Sequence, residues 1–335
     1  MREAEAFERH EWFLAGRKVQ SPHTSGYYHS HEIGSERGEY WYAGKQVQPA
    51  PKYPSLLQQT ANLLNPFIND LLAGRGPRLN GEYAGQWRAS YAAVNHYQGA
   101  GSSVGWHADQ LTYLGPCATI VSLSLGTPRE FRLRPVPHHA SPTTDVLGLP
   151  LRTYSLNLGH NSLCIMHAGT QEFYKHTVPP ALNGSLDVFK PPYDELQRLV
   201  ERERRKSYTS RINITFRFYR PDFGPSSGIG EGGRKRQGTP LCRCGIPSIL
   251  RADQKGKARA TTTVAESPPP TTSPVTSTKN PSQPVQDIRQ ALSGMIYFWQ
   301  CQSASTTGSE KGCGFFRVLD FDGEGRGPYV RGGEG

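Results

Sequence analysis

Apolar and polar positions along this 335-residue chain follow two periods in turn. From Tyr53 to Leu72 the residues Leu56, Leu57, Leu63, Leu64, Ile68, Leu71 and Leu72 recur at three- and four-residue spacing, the period of a helix with one apolar face. Pro66 has no amide proton and its ring crowds the preceding turn, so two helices are predicted to meet there. From Ala89 onward the period falls to two. Strands are predicted over 89–97, 117–125, 129–134, 151–157, 162–167, 173–178 and 210–220, separated by Gly, Pro and Asn clusters. Many short strands after one helical pair predict a β-sandwich or jelly roll with helices on one side. Residues 1 to about 35 show little periodicity, although Arg17 to Gln20 fits a short basic strand or hairpin. Residues 137–145 read as a loop insertion between strands, and Tyr193 to Lys206 as a charged surface helix. After Pro221 the composition turns to Gly, Pro, Ser and charge until about 239, which reads as a linker.

Composition changes this picture in two ways. An apolar fraction of 36% is low for one uniform globule and suggests a folded core diluted by linker. A net charge of +10 favours polyanionic partners, nucleic acid first. No run approaches the ~18 apolar residues of a membrane-spanning helix. The charged start M-R-E-A-E-A-F-E-R-H-E has no apolar signal region, so an intracellular protein is expected, where structural disulfides are disfavoured. Of six cysteines, Cys117 and Cys164 sit in apolar strands and read as small buried hydrophobes. The other four lie beyond residue 240.

The densest chemistry lies between Asn95 and Asp109. In an extended chain His107 and Asp109 point to one face, offering a nitrogen and a carboxylate oxygen. A distant His would complete the 2-His-1-carboxylate triad of non-haem iron(II) oxygenases, which leaves positions open for substrates. His138 and His139 sit in a Pro-flanked loop, a poor place to fix ligand geometry, and His160 lies in a G-H-N turn. Spacing leaves His167 and His176 as equal candidates. Ser210 to Arg220 alternates strictly: Ile212, Ile214, Phe216 and Phe218 face one way, and Arg211, Asn213, Thr215, Arg217 and Tyr219 the other. A polar face this cationic reads as an anion clamp if it lines a cavity. In E-Y-W-Y-A-G, Tyr40 and Tyr42 share one strand face and offer a surface for stacking a base.

Taken together, N-x-Y (Asn95, Tyr97), H-x-D (His107, Asp109), a late His (His176) and R-x-N-x-x-x-R (Arg211, Asn213, Arg217) resemble the AlkB family of Fe(II)/2-oxoglutarate dioxygenases, in particular its eukaryotic DNA-repair branch. S-L-S-L-G-T-P-R-E-F-R-L-R (122–134) and N-I-T-F-R (213–217) extend the resemblance, which covers roughly residues 35 to 220. It implies an α+β fold: a double-stranded β-helix (jelly roll) with flanking helices and a substrate lid. It implies that His107, Asp109 and His176 bind iron(II), and that Arg211 and Arg217, with Asn95, Tyr97 and Asn213, hold 2-oxoglutarate. Guanidinium forks suit this because they bind carboxylates bidentately and stay charged when partly buried. The implied reaction is oxidative demethylation of N-alkylated bases in DNA, such as 1-methyladenine or 3-methylcytosine, with RNA or protein as alternative substrates and a non-enzymatic nucleic-acid binding module as the remaining alternative. Tyr40 and Tyr42 match the lid aromatics. Gln110 follows the metal carboxylate, where repair members often carry an acidic residue, a departure that leaves base preference open.

Cys242-x-Cys244, Cys301 and Cys313, in P-L-C-R-C-G, Y-F-W-Q-C and C-G-F-F-R-V-L-D, resemble a GRF-type zinc finger, a module that binds single-stranded nucleic acid. Zinc(II) bound by these four thiolates is the implied second metal. Residues 251–290 read as a disordered basic insertion within it. The expected organisation is an N-terminal segment and nucleotide-recognition lid over 1–50, a dioxygenase domain over 51–220, a linker over 221–239 and the finger over 240–335. The basic run G-G-R-K-R-Q (232–237) fits a nuclear import signal, and a nuclear location is expected.

Overall fold

The structure is a computed structural model that describes residues 7–14, 17–31, 40–42, 45–46, 50–137, 143–145, 149–181, 186–194, 196–229, 233, 235–254, 284–302 and 312–331. The chain opens with a hairpin of β1 (Glu11–Leu14) and β2 (Arg17–Gln20), where a short basic strand was expected. β3 (Thr24–His29) has no counterpart in the sequence reading. Its alternation is too short to stand out, and it is strand only because it adds to the edge of a sheet formed later in the chain. A second small hairpin, β4 (Trp41–Tyr42) and β5 (Lys45–Gln46), occupies the predicted lid.

The two predicted helices are one, α1 (Ser55–Gly74), with Pro66 inside it. Loss of one internal hydrogen bond and the ring clash cost about 3 kcal/mol. Tertiary contacts on both sides of the proline offset this. Ala61, Leu64, Ile68 and Leu72 are buried on one continuous face against Ala92, Val121 and Phe216. Asn65 Oδ1 accepts the Ala89 N–H, and Asn69 Oδ1 accepts the Trp87 N–H. The helix is pinned to the sheet before and after the break.

The body is two antiparallel sheets. One has five strands: β3, β6 (Tyr91–Gln98), β13 (Ser210–Arg217), β8 (Ile120–Gly126) and β11 (Ser162–Met166), in that spatial order. The other has four: β7 (Val104–His107), β12 (Tyr174–Val178), β9 (Arg129–Pro135) and β10 (Tyr154–Leu158). Their inner faces meet in one core containing Tyr97, Ile120, Phe131 and Val178. This is the jelly-roll arrangement expected, with α1 on the outer face of the larger sheet. The predicted strand over 173–178 is preceded by a single helical turn, α2 (Thr170–Phe173). Cys117 is buried but lies at a left-handed turn (φ 57°) before β8, not within a strand.

One expectation is overturned and two are amended in part. Tyr193 to Lys206 is not a helix. The Asp194 carboxylate accepts the Leu196 and Arg198 N–H groups, the chain reverses, and a 3₁₀ turn forms only at Arg202–Arg204. Leu196 and Leu199 are largely exposed, so the apolar positions of this stretch gain no burial that would hold it as a helix. Residues 221–239 are not a loose linker at their start. Phe223 is fully buried between the guanidinium groups of Arg220 (4.8 Å) and Arg326 (4.6 Å), and Asp222 pairs with Arg220 at 2.7 Å. Gly228–Ile229 and Lys235–Arg236, β14 and β15, pair as a short ladder. The ends of the presumed disordered insertion are ordered as β16 (Ile249–Ala252) and α3 (Pro284–Ser293); its middle, 255–283, lies outside the described residues.

β16, β17 (Tyr297–Gln300) and β18 (Phe316–Val318) form a three-stranded sheet carrying the C-terminal cysteines. Leu250, Tyr297 and Trp299 from this sheet enter the jelly-roll core beside Leu111 and Leu114. Trp299 Nε1–H donates to Glu324 at 3.1 Å, and Glu324 pairs with Arg326 at 2.7 Å. The C-terminal module therefore shares a core with the jelly roll. No helix among the described residues is long and apolar enough to cross a membrane.

Candidate active site

β7 and β12 run antiparallel with His107 and His176 directly opposite each other. Residues so paired present their side chains to the same face at close range, and the two imidazole centroids are 4.2 Å apart. Asp109, just past the end of β7, turns Oδ1 to within 3.6 Å of His107 Nε2 and 3.8 Å of His176 Nε2. One ligand atom from each of the three lies within 4.8 Å of the others. The tie between His167 and His176 is thereby resolved for His176: His167 lies beyond the end of β11, outside this cluster. His138 and His139 lie outside the described residues, and His160 Nδ1 accepts the Gly126 N–H.

The surroundings orient these groups for a metal. His107 Nδ1 lies 2.8 Å from the Gly105 carbonyl, which leaves Nε2 for the cluster. Burial pushes the His176 imidazole down to about 3, with nearby His107 adding to the effect and Asp109 opposing it. His176 is therefore neutral and able to ligate at physiological pH. Burial alone would raise the Asp109 carboxyl; Arg217 and the two histidines outweigh it and hold it at about 2. Arg217 donates to Asp109 Oδ2 from Nε (3.1 Å) and Nη2 (2.9 Å), leaving Oδ1 on the histidine side. Two neutral imidazoles and one carboxylate fit a divalent iron ion and keep the centre net positive.

β13 lies between β6 and β8, and its alternation resolves as the sequence pattern implied. Arg211, Asn213 and Thr215 are buried on the inner face, while Ile214 and Phe216 pack toward α1. Arg211 sits opposite Tyr97, and Asn213 opposite Asn95. Arg211 Nη2 donates to Ser124 Oγ and Asn213 Oδ1, both at 2.8 Å, and its guanidinium lies 5.2 Å from the Tyr97 ring. Its Nε and Nη1 are buried with no hydrogen-bond partner. Its described partners include no acid. A buried guanidinium with two unsatisfied donors is costly unless a ligand anion completes it, and the fork matches one carboxylate of 2-oxoglutarate. Burial raises the Tyr97 phenol, so it stays protonated as a donor. Asn95 Oδ1 accepts from Ser25 Oγ at 2.8 Å. Arg217, expected with Arg211 on the co-substrate, also reaches the metal carboxylate, through the two hydrogen bonds to Asp109.

A model of the 2OG-Fe(II) oxygenase superfamily matches residues 2–217, well over half of the chain. The chain belongs to the 2OG-Fe(II) oxygenase superfamily. Members of this family are oxidoreductases, and iron(II) with 2-oxoglutarate is the expected cofactor pair. Among curated proteins, the chain is 32% identical over 130 residues to the rat protein "Alpha-ketoglutarate-dependent dioxygenase alkB homolog 3", covering 38% of this chain and 35% of that one. It is 31% identical over 135 residues to the Arabidopsis thaliana "DNA oxidative demethylase ALKBH2", covering 37% and 36%. The matched stretch thus spans about a third of the length of these relatives. A solved structure titled "The structure of OsALKBH1" aligns with 18% identity and a TM-score of 0.30, over 50% of this chain and 66% of that one.

As a member of this superfamily the chain carries further groups around the site that its sequence did not single out. Gln171 and Arg129 are both buried. Gln171 Oε1 accepts the Asp109 N–H at 2.8 Å. Arg129 donates to the carbonyls of Ser102 (2.6 Å) and Pro179 (2.8 Å) and lies 5.7 Å from the Tyr97 ring. The inward position of Arg129 was readable from alternation in R-E-F-R-L-R; nothing local marks Gln171. Of the lid residues, Tyr40 packs within a tyrosine cluster, 4.8 Å from the Tyr113 ring, 5.2 Å from Tyr91 and 5.5 Å from Tyr219. Trp41 N–H donates to the Tyr113 hydroxyl. The Tyr42 backbone is strand, and its side chain lies outside the described residues. Gln110 is half-buried, next to Asp109.

The four C-terminal sulfurs converge. One Sγ from each of Cys242, Cys244, Cys301 and Cys313 lies within 4.8 Å of the others. Gly245 (φ 73°) turns the chain after Cys244, and its N–H donates to the Cys242 carbonyl. Burial raises the Cys242 thiol to about 11, a cost that a bound cation removes by stabilising the thiolate. Four sulfurs at this spacing fit tetrahedral zinc. Elemental analysis of the purified chain is expected to give one zinc per molecule in addition to iron, falling to near zero in Cys301→Ser/Cys313→Ser. Zinc retained by the double variant would remove these residues as ligands.

Proposed function

We propose that this protein is an oxidative demethylase of N-alkylated nucleobases in DNA, of the 1-methyladenine and 3-methylcytosine type, reversing the damage directly. The observation that carries the reading is the combination of the His107–Asp109–His176 cluster with the incomplete fork of Arg211 in one jelly roll. The names of the relatives agree with it, and so does the net charge of +10. When bound, iron(II) with 2-oxoglutarate supplies oxidation of a C–H bond by O2, with succinate and CO2 as co-products. An N-methyl group gains one oxygen atom and becomes N-hydroxymethyl, which breaks down to formaldehyde and the N–H of the restored base.

The chain's own residues have separable tasks in this reading. His107, Asp109 and His176 hold the metal. Arg217 neutralises Asp109 Oδ2 and keeps its carboxylate from rotating. Arg211 takes the distal carboxylate of 2-oxoglutarate, and Tyr97, Asn95 and Asn213 complete the polar wall. Tyr40 and its neighbours form an aromatic border for the extruded base, with Tyr42 as a further lid residue and Gln110 as the residue that meets the base edge. Arg211→Lys keeps the charge but loses the fork, so the KM for 2-oxoglutarate should rise roughly tenfold to a hundredfold. Steady-state succinate formation checks this, and an unchanged KM would place the co-substrate elsewhere.

The test of function is a substrate panel. Protein, iron(II), 2-oxoglutarate and a 1-methyladenine or 3-methylcytosine oligodeoxynucleotide should yield formaldehyde and restored base. Absence of both, with 2-oxoglutarate still consumed on another substrate, would overturn the DNA reading. Gln110 favours keeping RNA in the panel, because an amide reads a base edge differently from the carboxylate common at this position in repair members. The zinc module presents Phe316 and Val318 outward, with the Phe298 ring tilted against Phe316 at 4.8 Å and Arg251 exposed on a strand of the same sheet. This surface suits stacking of single-stranded bases. A nuclear location belongs to the same proposal; Arg236 of the candidate import run donates to the Gly224 carbonyl at 3.1 Å.

A further inference from the structure

The C-terminal module touches the jelly roll where the iron carboxylate is held. α2 is the point of contact. Its Gln171 side chain, 1% exposed, accepts the Asp109 N–H through Oε1 at 2.8 Å. The amide end of Gln171 is directed to Met166 Sδ at 3.6 Å, so its orientation is set. The main-chain carbonyl of Gln171 accepts a hydrogen bond from Gln254 Nε2 at 2.8 Å, and Gln254 lies just beyond β16 of the module. The next residue, Glu172, is fully buried and accepts from Tyr297 of β17 at 3.2 Å and from the Cys117 N–H at 2.9 Å. The loop that follows Asp109 is tied in as well: the Leu250 N–H of β16 donates to Thr112 Oγ1 at 3.2 Å. Three bonds from one sheet thus meet the two short segments that locate Asp109.

Asp109 needs such support. It sits past the end of β7, where no ladder partner fixes its backbone. Arg217 holds one carboxylate oxygen, but the position of the Cα depends on the N–H bond to Gln171. We propose that the C-terminal module positions the iron carboxylate, with Gln254 and Gln171 acting as positioning residues on Asp109. The module is then part of the oxygenase centre in addition to any contact it makes with nucleic acid. The proposal rests on the reading of His107, Asp109 and His176 as metal ligands. Groups that orient a metal ligand change metal affinity by about ten- to a hundredfold when lost.

The experiment uses the full chain, zinc-loaded, and Mn(II) as the probe, because a hard ion discriminates against the four-thiolate site. Free and bound Mn(II) are measured by electron paramagnetic resonance. Gln171→Leu should weaken Mn(II) binding about tenfold. Gln254→Ala, at the edge of the module, should weaken it about threefold and alter the bound spectrum while the melting temperature stays close to that of the parent. Gln254→Ala decides the outcome even if Gln171→Leu does not fold. Parent-like Mn(II) affinity in Gln254→Ala overturns the proposal. Arg331→Ala, which removes a surface ion pair to Asp322 elsewhere in the module, is the control. An equal loss of affinity there would assign the effect to general loosening and also overturn it. A parent protein that binds no Mn(II) would instead overturn the metal reading on which the proposal rests.

Discussion

His107→Ala is expected to reduce 2-oxoglutarate turnover by more than about a hundredfold, since loss of a group that merely orients a ligand already costs ten- to a hundredfold in affinity or activity. The fold should survive. The His107 side chain is 38% exposed, the most open of the three ligands, and its described hydrogen bond is to Gly105 two residues away. Asp109 and His176 are each under a tenth exposed and carry more of the packing around the site. The same substitution at His176 therefore confounds ligand loss with a cavity beside Phe131, whose ring lies 5.5 Å from the imidazole. Release of labelled CO2 from 2-oxoglutarate measures the effect, and a thermal melt within a few degrees of the parent shows that the chain is still folded. Turnover within tenfold of the parent would remove His107 from the metal site.

The second large effect is expected far from the iron. Trp299→Ala should destabilise the protein by about 3–5 kcal/mol, the usual range for deleting a large buried aromatic. Trp299 is 0% exposed, and its ring lies 5.1 Å from the Arg326 guanidinium and 6.3 Å from Phe223. Its Nε1–H is a donor to Glu324 at both carboxylate oxygens. Removing the indole leaves a cavity bordered by a buried ion pair, which cannot collapse onto itself without desolvated charges meeting apolar surface. Because Trp299 shares a core with Ile120, Phe131 and Val178, the loss should appear as one cooperative transition moved to lower denaturant. Two transitions, with the jelly roll unfolding at the parent midpoint, would mean that the module folds as a separate unit.

The same packing explains why domain organisation was hard to read from the chain. Residues 221–239 are rich in Gly, Pro, Ser and charge, and local composition of that kind marks a linker. Phe223 is one apolar residue within that stretch. What makes it a core residue is that Arg326, distant in sequence, joins the neighbouring Arg220 against its ring. Pro66 failed as a helix breaker for a related reason. Asn65 and Asn69 bond backbone groups of residues 87 and 89, contacts that helix propensity does not contain. In the opposite direction, Tyr193 to Lys206 has helix-forming residues, but Tyr193, Leu196 and Leu199 stay exposed and gain no burial from the rest of the protein.

Sequence by itself determined most of the strand succession from β6 to β13, the alternation that turns Arg211 and Asn213 inward, the H-x-D pair and the grouping of four late cysteines. These are local properties: a period of two decides which face a side chain takes, and a spacing of two puts a His and an Asp on the same side. Tertiary structure decided the rest. His176 rather than His167 completes the cluster because β12, not β11, pairs with β7. Arg217 serves Asp109 because the loop after β7 passes its guanidinium. Gln171 supports that same Asp109 from a single helical turn more than sixty positions away in the chain. Each of these depends on which strands become neighbours, a choice made by burial of the whole core and carried by no short stretch of residues.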